Sequence, residues 1–360
     1  MILTLLAATA LFLAFSNGAN DNFKGFATVW GSASLSYRAA LILSNAATLV
    51  GGIVSIILAD GLIKQFSGRG LVEDAVAASA PFVLSVAGSA GITVALATRL
   101  GFPISTTHAI MGSLIGSALA SGESIALGHL GTQFILPLLA SPIIAALMGY
   151  VAYKSSPKFT PESDCVCIVE AQPAINSTML ARSVMMPERI IGSEEECRVH
   201  GDTIARVSVS AVLNRAHIAS AIAICFARAL NDTPKLAALL LGAGVMSAWN
   251  SAIAVTAAMV AGGFLLSRRV AETMSLKISE ISSVQGTAAN FVTSFVVLTA
   301  SAFALPVSTT HVSVGSIIGS GNAANTLDLS TVRNVLLSWV VTLPVAIISA
   351  VLVMQFAQLL

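Results

Sequence analysis

The chain has 360 residues, of which 56% are hydrophobic and only 10% are charged. A mean hydropathy of +0.87, with apolar runs of about twenty residues, indicates a polytopic helical membrane protein rather than the two soluble domains that the length would allow. The net charge of +1 gives no reason to expect a nucleic-acid partner.

The predicted helices form two hydrophobic halves. The first fifteen residues lack the basic start of a signal peptide, so we interpret them as a retained first helix. The apolar segments of the first half are 1–16, 25–36, 38–59, 79–100, 103–120 and 130–153, and those of the second half are 207–230, 236–247, 249–267, 287–305, 307–321 and 331–358. Segments as short as 25–36 and 103–120 are typical of half-helices or re-entrant hairpins.

The polar stretch 154–206 separates a first transmembrane repeat, 1–153, from a second one, 207–360. Its six lysines and arginines favour a cytoplasmic linker, because the positive-inside bias counts basic residues. Four cysteines give no sign of a disulfide framework. A metal site is an open alternative to free thiols, although its four candidate ligands match no standard zinc spacing: Cys165, Cys167, Cys197 and His200.

The two halves are copies of each other. Seven residues of the first half recur 211 positions later, namely Phe15, Asn20, Asp21, Lys24, Gly31, Gly51 and Gly52. Further on the offset is 203, which places an insertion of eight residues in the first half, between 59 and 74. Duplicated halves with interrupted segments are typical of secondary transporters, whose substrate site lies at the repeat interface.

An Asn-Asp pair occurs once in each half. An aspartate inside a membrane segment costs several kcal/mol (about 2.5–3.5 on insertion scales) unless it is paired or hydrated, which indicates a functional role. Gly18 and Pro234 predict helix breaks, where carbonyls and carboxylates ligate a cation such as Na⁺. The predicted cation ligands are Asn20, Asp21, Asn22, Asn231 and Asp232.

Lys24 and Lys235 follow the two aspartates by three residues, on the same helical face. The plainer interpretation is therefore that each lysine only neutralises its aspartate. Both lysines could also help to hold an anion, so we count them as supporting residues. Gln285 and Asn290 are further supporting candidates, as amides that complete a cation shell or join helices.

A second motif, Pro-x-Ser-Thr-Thr-His, occurs at 103–108 and again at 306–311. Proline and hydroxyl residues favour the start of a helix, so the motif predicts a hairpin turn whose free N–H groups and helix dipole can hold an oxyanion. The predicted anion ligands are Ser105, Thr106, Thr107, Ser308, Thr309 and Thr310. The alternative is that these hydroxyls bond back to the preceding turn. For His108 and His311, packing, a supporting hydrogen bond and proton transfer all stay open.

These motif pairs resemble the inorganic phosphate transporter family of the PiT type. The resemblance rests on Gly18-Ala19-Asn20-Asp21, the partial copy Ala229-Leu230-Asn231-Asp232, and both Pro-x-Ser-Thr-Thr-His segments. It covers both halves but not the linker. Where that family often continues with Val-Ala-Asn-Ala, this chain has Asn22-Phe23-Lys24 and Thr233-Pro234-Lys235.

The resemblance implies an all-α membrane protein built from inverted-topology repeats with discontinuous helices and re-entrant hairpins. It also implies phosphate uptake by alternating access, driven by Na⁺ or H⁺, and a cytoplasmic linker. We expect a multi-pass protein of the plasma (inner) membrane, with the lipid bilayer as its surroundings and no cofactor besides the coupling ion. The oligomeric state, including a homo-oligomer, is open.

Phosphate keeps a proton at neutral pH, which Asp21 or Asp232 can accept as a hydrogen bond, whereas the fully ionised sulfate would be repelled. Sulfate or another tetrahedral oxyanion is the first alternative. An anion channel would not need the duplicated aspartates. An intramembrane hydrolase would use Ser105, His108 and Asp21 as nucleophile, base and orienting group, but a second full copy of such a site would serve no purpose.

Overall fold

The computed structural model describes residues 2–58, 71–156, 164–169, 188–199, 203–242, 244–303, 305 and 307–359. In the first half, a 3₁₀ turn, Lys24–Phe26, follows the first helix, and a π-helical segment, Gly131–Ile135, precedes the last one. The helices of this half are α1 Ile2–Asp21, α2 Ala27–Gly31, α3 Tyr37–Leu58, α4 Asp74–Ala77, α5 Ala80–Leu100, α6 Thr106–Ala120, α7 Leu127–Leu130 and α8 Leu136–Lys154. Most of the predicted insertion between 59 and 74 lies outside the described residues.

The linker contains strands as well as one short helix. Its elements are β1 Cys165–Val169, β2 Glu188–Gly192, α9 Glu194–Val199 and β3 Thr203–Ser208, with the strands in the antiparallel order β2-β1-β3. The second half continues directly from β3 with α10 Val209–Gly242, α11 Ala248–Leu266, α12 Arg268–Leu276, α13 Ser283–Ala302, α14 Thr309–Ala324 and α15 Leu329–Ala357.

The prediction of an all-α polytopic membrane protein is confirmed. Seven helical segments in the described part of the chain are long and apolar enough to cross a membrane: Ile2–Gly31, Tyr37–Ser55, Ala80–Leu100, Leu136–Lys154, Val209–Leu241, Ala248–Leu266 and Leu329–Ala357. Large apolar side chains stand on their outer faces, as expected of lipid-facing surfaces; Leu265 is 71% exposed and Val340 is 70% exposed. The inverted relation of the two halves stays a prediction.

The halves interlock through equivalent contacts. Helix α1 packs on α11, and its counterpart α10 packs on α3; likewise α8 packs on α14, and α15 packs on α6. Glycines permit the close approach, because a Cβ at Gly116 would lie 2.4 Å from the Ile347 carbonyl oxygen and one at Gly319 would lie 1.9 Å from that of Ala146. Helices of each half therefore pack against helices of the other half, and residues of both halves meet at the interface between them.

The predicted break at the first Asn-Asp pair is confirmed, and the one at the second is wrong. Helix α1 ends at Asp21 before the 3₁₀ turn. Helix α10 instead runs without interruption through Asn231, Asp232 and Pro234, so segment 207–230 from residue 209 onwards and segment 236–247 up to residue 242 belong to one helix. A proline removes its own N–H from the helical ladder and crowds the carbonyl four residues before it, and membrane helices tolerate this when neighbouring groups satisfy the freed carbonyl.

The predicted turns before the Ser-Thr-Thr segments are confirmed. Helix α5 ends at Leu100 and is capped by Gly101, which has a φ of 80°. Helix α6 begins after Ser105, whose hydroxyl accepts a hydrogen bond from the His108 N–H at 3.0 Å. Ser308 caps α14 in the same way, accepting from the His311 N–H at 3.1 Å. Residue 306 lies outside the described residues.

The cysteines of the linker differ from the prediction of free thiols. Cys167 and Cys197 form a disulfide, because the packing of α9 against β1 brings their Cα atoms to 5.9 Å. Cys165 is free and buried. His200 lies outside the described residues, and within the described part no group of three or more His, Cys, Asp or Glu side chains is arranged to hold a metal ion.

Candidate functional site

Five charged side chains are buried where the two halves meet. Each of the five is at most 4% exposed. Within the described ranges they are the buried aspartates, lysines and arginines: Asp21, Lys24, Arg228, Asp232 and Lys235. Three cations against two carboxylates leave one positive charge. A buried charge needs partners, and a positive excess at this depth is suited to a negative ligand.

Lys24 lies inside a group of four oxygen atoms, which we call the Lys24 cage. Its Nζ pairs with Asp21 Oδ1 and donates to Asn20 Oδ1 at 2.8 Å, the Ile104 carbonyl at 2.9 Å and Thr310 Oγ1 at 2.6 Å. Thr310 comes from the second half, and its hydroxyl donates in turn to the Ile104 carbonyl at 2.9 Å. The cage therefore joins the start of one repeat to the hairpin turn of the other.

Lys235 lies in an equivalent group, the Lys235 cage. Its Nζ donates to Asn231 Oδ1, to the Val307 carbonyl at 3.0 Å, to Thr107 Oγ1 at 3.1 Å and to Asp232 Oδ1 at 3.4 Å. Here the threonine comes from the first half. Both cages thus contain one carboxylate, one amide, one backbone carbonyl and one hydroxyl, and each takes its hydroxyl from the opposite repeat.

Of the other hydroxyls in the two motifs, the two serines cap the helices that follow the turns, and Thr106 forms a hydrogen bond with one carboxylate. Thr106 Oγ1 donates to Asp21 Oδ2 at 3.3 Å and accepts from Asn17 Nδ2 at 3.0 Å. Asn17 Nδ2 also donates to Asp21 Oδ2 at 3.0 Å. Thr309 is buried at the equivalent position of α14. Of the six predicted anion ligands, the two serines are occupied as helix caps, while Thr107 and Thr310 face the lysines.

Arg228 is a site residue that the motif analysis missed. Its guanidinium is fully buried and donates to Asn22 Oδ1 at 2.6 Å, to Thr48 Oγ1 at 2.9 Å and to Asn17 Oδ1 at 3.3 Å. Nη1 also lies 3.5 Å from Asp232 Oδ2. An arginine within an apolar run, at the position that corresponds to Asn17 by the offset of 211, was the signal that could have revealed it.

The structure does not bring all predicted residues into the cages. The Asn22 amide N–H₂ points away from them and donates to Asn45 Oδ1 at 2.7 Å and to the Met259 carbonyl at 2.9 Å. Gln285 takes part in a capping box with Ser282 at the start of α13. Asn290 accepts from the Thr28 hydroxyl and donates to Ser220. These amides join helices around the site.

A narrow gap, too small in this conformation to hold a water molecule, lies beside the Lys235 cage and is lined by Asn17, Thr106, Thr107, Ile110, Asp232, Lys235 and Leu236. Asp232 contributes a buried carboxylate oxygen, Oδ2, that accepts no hydrogen bond from the residues that the structure describes. Hydroxyls, an amide and an ammonium group therefore surround this gap together with one acceptor. A tetrahedral oxyanion that still carries a proton matches this combination of donors and acceptor.

The two motif histidines pack against each other. His108 Nδ1 lies 3.3 Å from His311 Nε2, and the His311 ring lies on Trp339 with a centroid distance of 3.9 Å. Trp339 Nε1 donates to the Pro103 carbonyl at 3.2 Å, which ties this group to the first turn. Ser105 bonds the His108 backbone rather than its ring, and Asp21 pairs with Lys24, so the arrangement required of a hydrolytic triad is not formed.

The comparisons with known proteins point in one direction. The profile of the phosphate transporter family matches residues 17–350. The chloroplastic inorganic phosphate transporter 2-1 of Arabidopsis thaliana is 28% identical over 425 aligned residues, covering 96% of this chain and 71% of that protein. A probable low-affinity inorganic phosphate transporter of Bacillus subtilis is 27% identical and covers 96% of this chain and 94% of its own. A solved structure of a sodium-dependent phosphate transporter has the same fold, with a TM-score of 0.78, 20% identity and coverage of 100% of this chain and 99% of the other.

Proposed function

Because the chain belongs to the phosphate transporter family, we propose that it is a secondary active transporter that imports inorganic phosphate by alternating access, coupled to Na⁺ or H⁺. It is a multi-pass membrane protein and a transporter, not an enzyme. We place it in the plasma (inner) membrane, although one relative is named as chloroplastic. The duplicated motifs at the interface of the halves support alternating access, since rocking one repeat against the other would open the site to either side.

The observation that carries the phosphate assignment is the set of charged and polar groups around the closed gap beside Asp232 and Lys235. Its positive excess attracts an oxyanion, and the Thr107 hydroxyl, which accepts from Lys235 Nζ at 3.1 Å, can donate its own hydrogen to that anion. Asp232 Oδ2 can accept the proton that phosphate keeps at neutral pH. Sulfate has no such proton, so the same carboxylate oxygen would repel it. A site with a buried acceptor that lacks a hydrogen-bond donor discriminates strongly between such analogues.

Two arguments bear on the coupled cation. The fold shared with a sodium-dependent transporter favours Na⁺, with Asn20, Asp21, Asn22, Asn231 and Asp232 as the proposed ligands. The lysine–carboxylate pairs of the two cages can instead exchange a proton, which favours H⁺. In either case a cation beside the anion offsets its charge in a low dielectric, and the mutual gain in affinity is reciprocal.

The proposal is tested with the purified protein in liposomes, with Na⁺ and pH gradients imposed separately. We expect labelled phosphate to accumulate against its own gradient when the correct cation gradient is present. Arsenate, which also keeps a proton, should compete, and sulfate should not. Phosphate flux that needs no cation gradient would indicate a channel, and equal competition by sulfate would overturn the role given to Asp232.

A further inference from the structure

We propose that the ammonium groups of Lys24 and Lys235 take the places of two bound cations in the anion site, so that the protein binds phosphate without Na⁺. This inference rests on the proposed function and decides between the two coupling ions that it leaves open. It assigns the two lysines a role beyond neutralising their neighbouring aspartates.

The first argument is the composition of the two cages. Each ammonium is surrounded by a carboxylate oxygen, an amide oxygen, a backbone carbonyl and a threonine hydroxyl. Such all-oxygen shells, including carbonyls at helix ends, are those that hard cations take in membrane proteins. An Na⁺ ion would need the same oxygens that Lys24 and Lys235 already bind. A second positive charge within a few ångström would also be strongly repelled at this depth.

The second argument is that two different backbones produce the same cage. Lys24 begins a 3₁₀ turn after α1 has ended, whereas Lys235 lies inside the continuous helix α10. Their Nζ atoms nevertheless contact equivalent oxygens, with the carbonyls of Ile104 and Val307 at 2.9 and 3.0 Å. The backbone around the two lysines therefore differs between the repeats, whereas the position of the positive charge is the same in both.

The third argument is the charge of the site. With both lysines, three buried cations face two carboxylates and the site has one excess positive charge. Without them, Arg228 alone would face Asp21 and Asp232, which leaves one excess negative charge that would repel phosphate. The lysines therefore supply the charge that two bound monovalent cations would supply. They are tethered, so this charge does not depend on the Na⁺ concentration.

The direct test is calorimetric titration of inorganic phosphate into the purified full-length protein in detergent, once in NaCl and once in N-methyl-D-glucamine chloride. We expect the two dissociation constants to agree within about threefold, and an Na⁺ gradient not to drive uptake in liposomes. Affinity at least tenfold weaker without Na⁺ would overturn this inference while leaving phosphate transport intact. Absence of phosphate binding in both media would overturn the proposed function and this inference together.

A pair of substitutions at each lysine separates charge from volume. Lys24→Ala or Lys235→Ala empties part of a cage, so we expect phosphate binding at least tenfold weaker in N-methyl-D-glucamine and largely restored by Na⁺, which can enter the vacated shell. Lys24→Met or Lys235→Met fills the same space without charge, and binding should stay weak in both media. Lys277→Met, at an exposed position, is the matched control and should bind like the unsubstituted protein.

Restoration of the methionine variants by Na⁺ to the same extent as the alanine variants would contradict the tethered-cation role. So would tight, Na⁺-independent binding by the alanine variants. The comparison of the unsubstituted protein in the two media does not depend on whether any variant folds, and it decides the question by itself.

Discussion

The two repeats build the same lysine cage but differ in what surrounds it. Asn17 of the first repeat corresponds to Arg228 of the second, and these two side chains contact each other across the pseudo-symmetric centre at 3.3 Å. Asp21 Oδ2 accepts hydrogen bonds from Asn17 and Thr106, whereas Asp232 Oδ2 accepts none from described residues. We infer that the two lysine cages, which the repeats share, supply the positive charge. The Asp232 carboxylate, whose surroundings differ from those of Asp21, recognises the protonated anion.

The largest effect is expected from Arg228→Met, which removes the charge that makes the repeats unequal. Its loss leaves Asp232 without its second cation and three amide or hydroxyl oxygens without their donor. Removing one partner of a buried ionic group typically costs about 3–5 kcal/mol. We expect phosphate binding to weaken by more than about a hundredfold, with a lower thermal midpoint in detergent.

Arg268→Met is the matched control, because that side chain is 74% exposed, forms an ion pair with Glu272 in its own helix and otherwise lies over the Tyr37 ring, 5.8 Å from its centroid. It should change phosphate affinity and the thermal midpoint very little. Equal effects of the two substitutions in the binding assay would contradict the role of Arg228.

The two aspartates should behave alike in coupling and differently in selectivity. Asp21→Asn and Asp232→Asn should each abolish cation-coupled uptake in proteoliposomes, since both remove a carboxylate that balances a lysine. Asp232→Asn should in addition let sulfate compete for binding, because an amide N–H can donate where the carboxylate oxygen repels. Sulfate competition that is unchanged by Asp232→Asn, or equal in both variants, would contradict the assigned asymmetry.

Substitution of the two threonines that contact the lysine of the opposite repeat tests the role of the lysine cages. Thr107→Val and Thr310→Val each remove one hydroxyl from a lysine cage while nearly preserving volume. A hydrogen bond to a charged group contributes about 1.5–3 kcal/mol, so each change should weaken phosphate binding by roughly ten- to a hundredfold. Thr107→Val should have the larger effect, because Thr107 also lines the gap beside Asp232 and Thr310 does not. A larger effect of Thr310→Val would contradict an anion site beside Asp232.

The smallest effect is expected at the histidine group, which supports the turns without entering the cages. Trp339→Phe keeps the ring against His311 but removes the hydrogen bond to the Pro103 carbonyl. A neutral hydrogen bond contributes about 0.5–1.5 kcal/mol, so the thermal midpoint should fall slightly and phosphate affinity should change by less than about threefold. A tenfold loss of affinity would place this group in the binding site itself.

The sequence predicts well what is repeated and local. The offsets 211 and 203 identify the two halves, and the Ser-Thr-Thr segments predict the caps Ser105 and Ser308, because capping depends on neighbouring residues alone. The continuity of α10 through Pro234 was not predictable in this way, since packing with other helices decides whether a proline breaks a membrane helix.

Contacts across the repeats also could not be read from the motifs. That Lys24 meets Thr310 and Lys235 meets Thr107 depends on how the halves interlock, as does the burial of Arg228 against Asn17 and Asn22. In the linker, the strand β1 and the Cys167–Cys197 disulfide form in a stretch whose composition indicated only a polar loop. Long-range pairing of this kind leaves little trace in local sequence patterns.

The most direct test of the account is the position of the bound anion. A structure of the protein with arsenate, located by its anomalous scattering, should place arsenic beside Asp232, with arsenate oxygens about 3 Å from Thr107 Oγ1 and Lys235 Nζ. Arsenic bound instead in the outer pocket that contains Arg99, Arg268 and Arg269 would contradict a site between the two repeats.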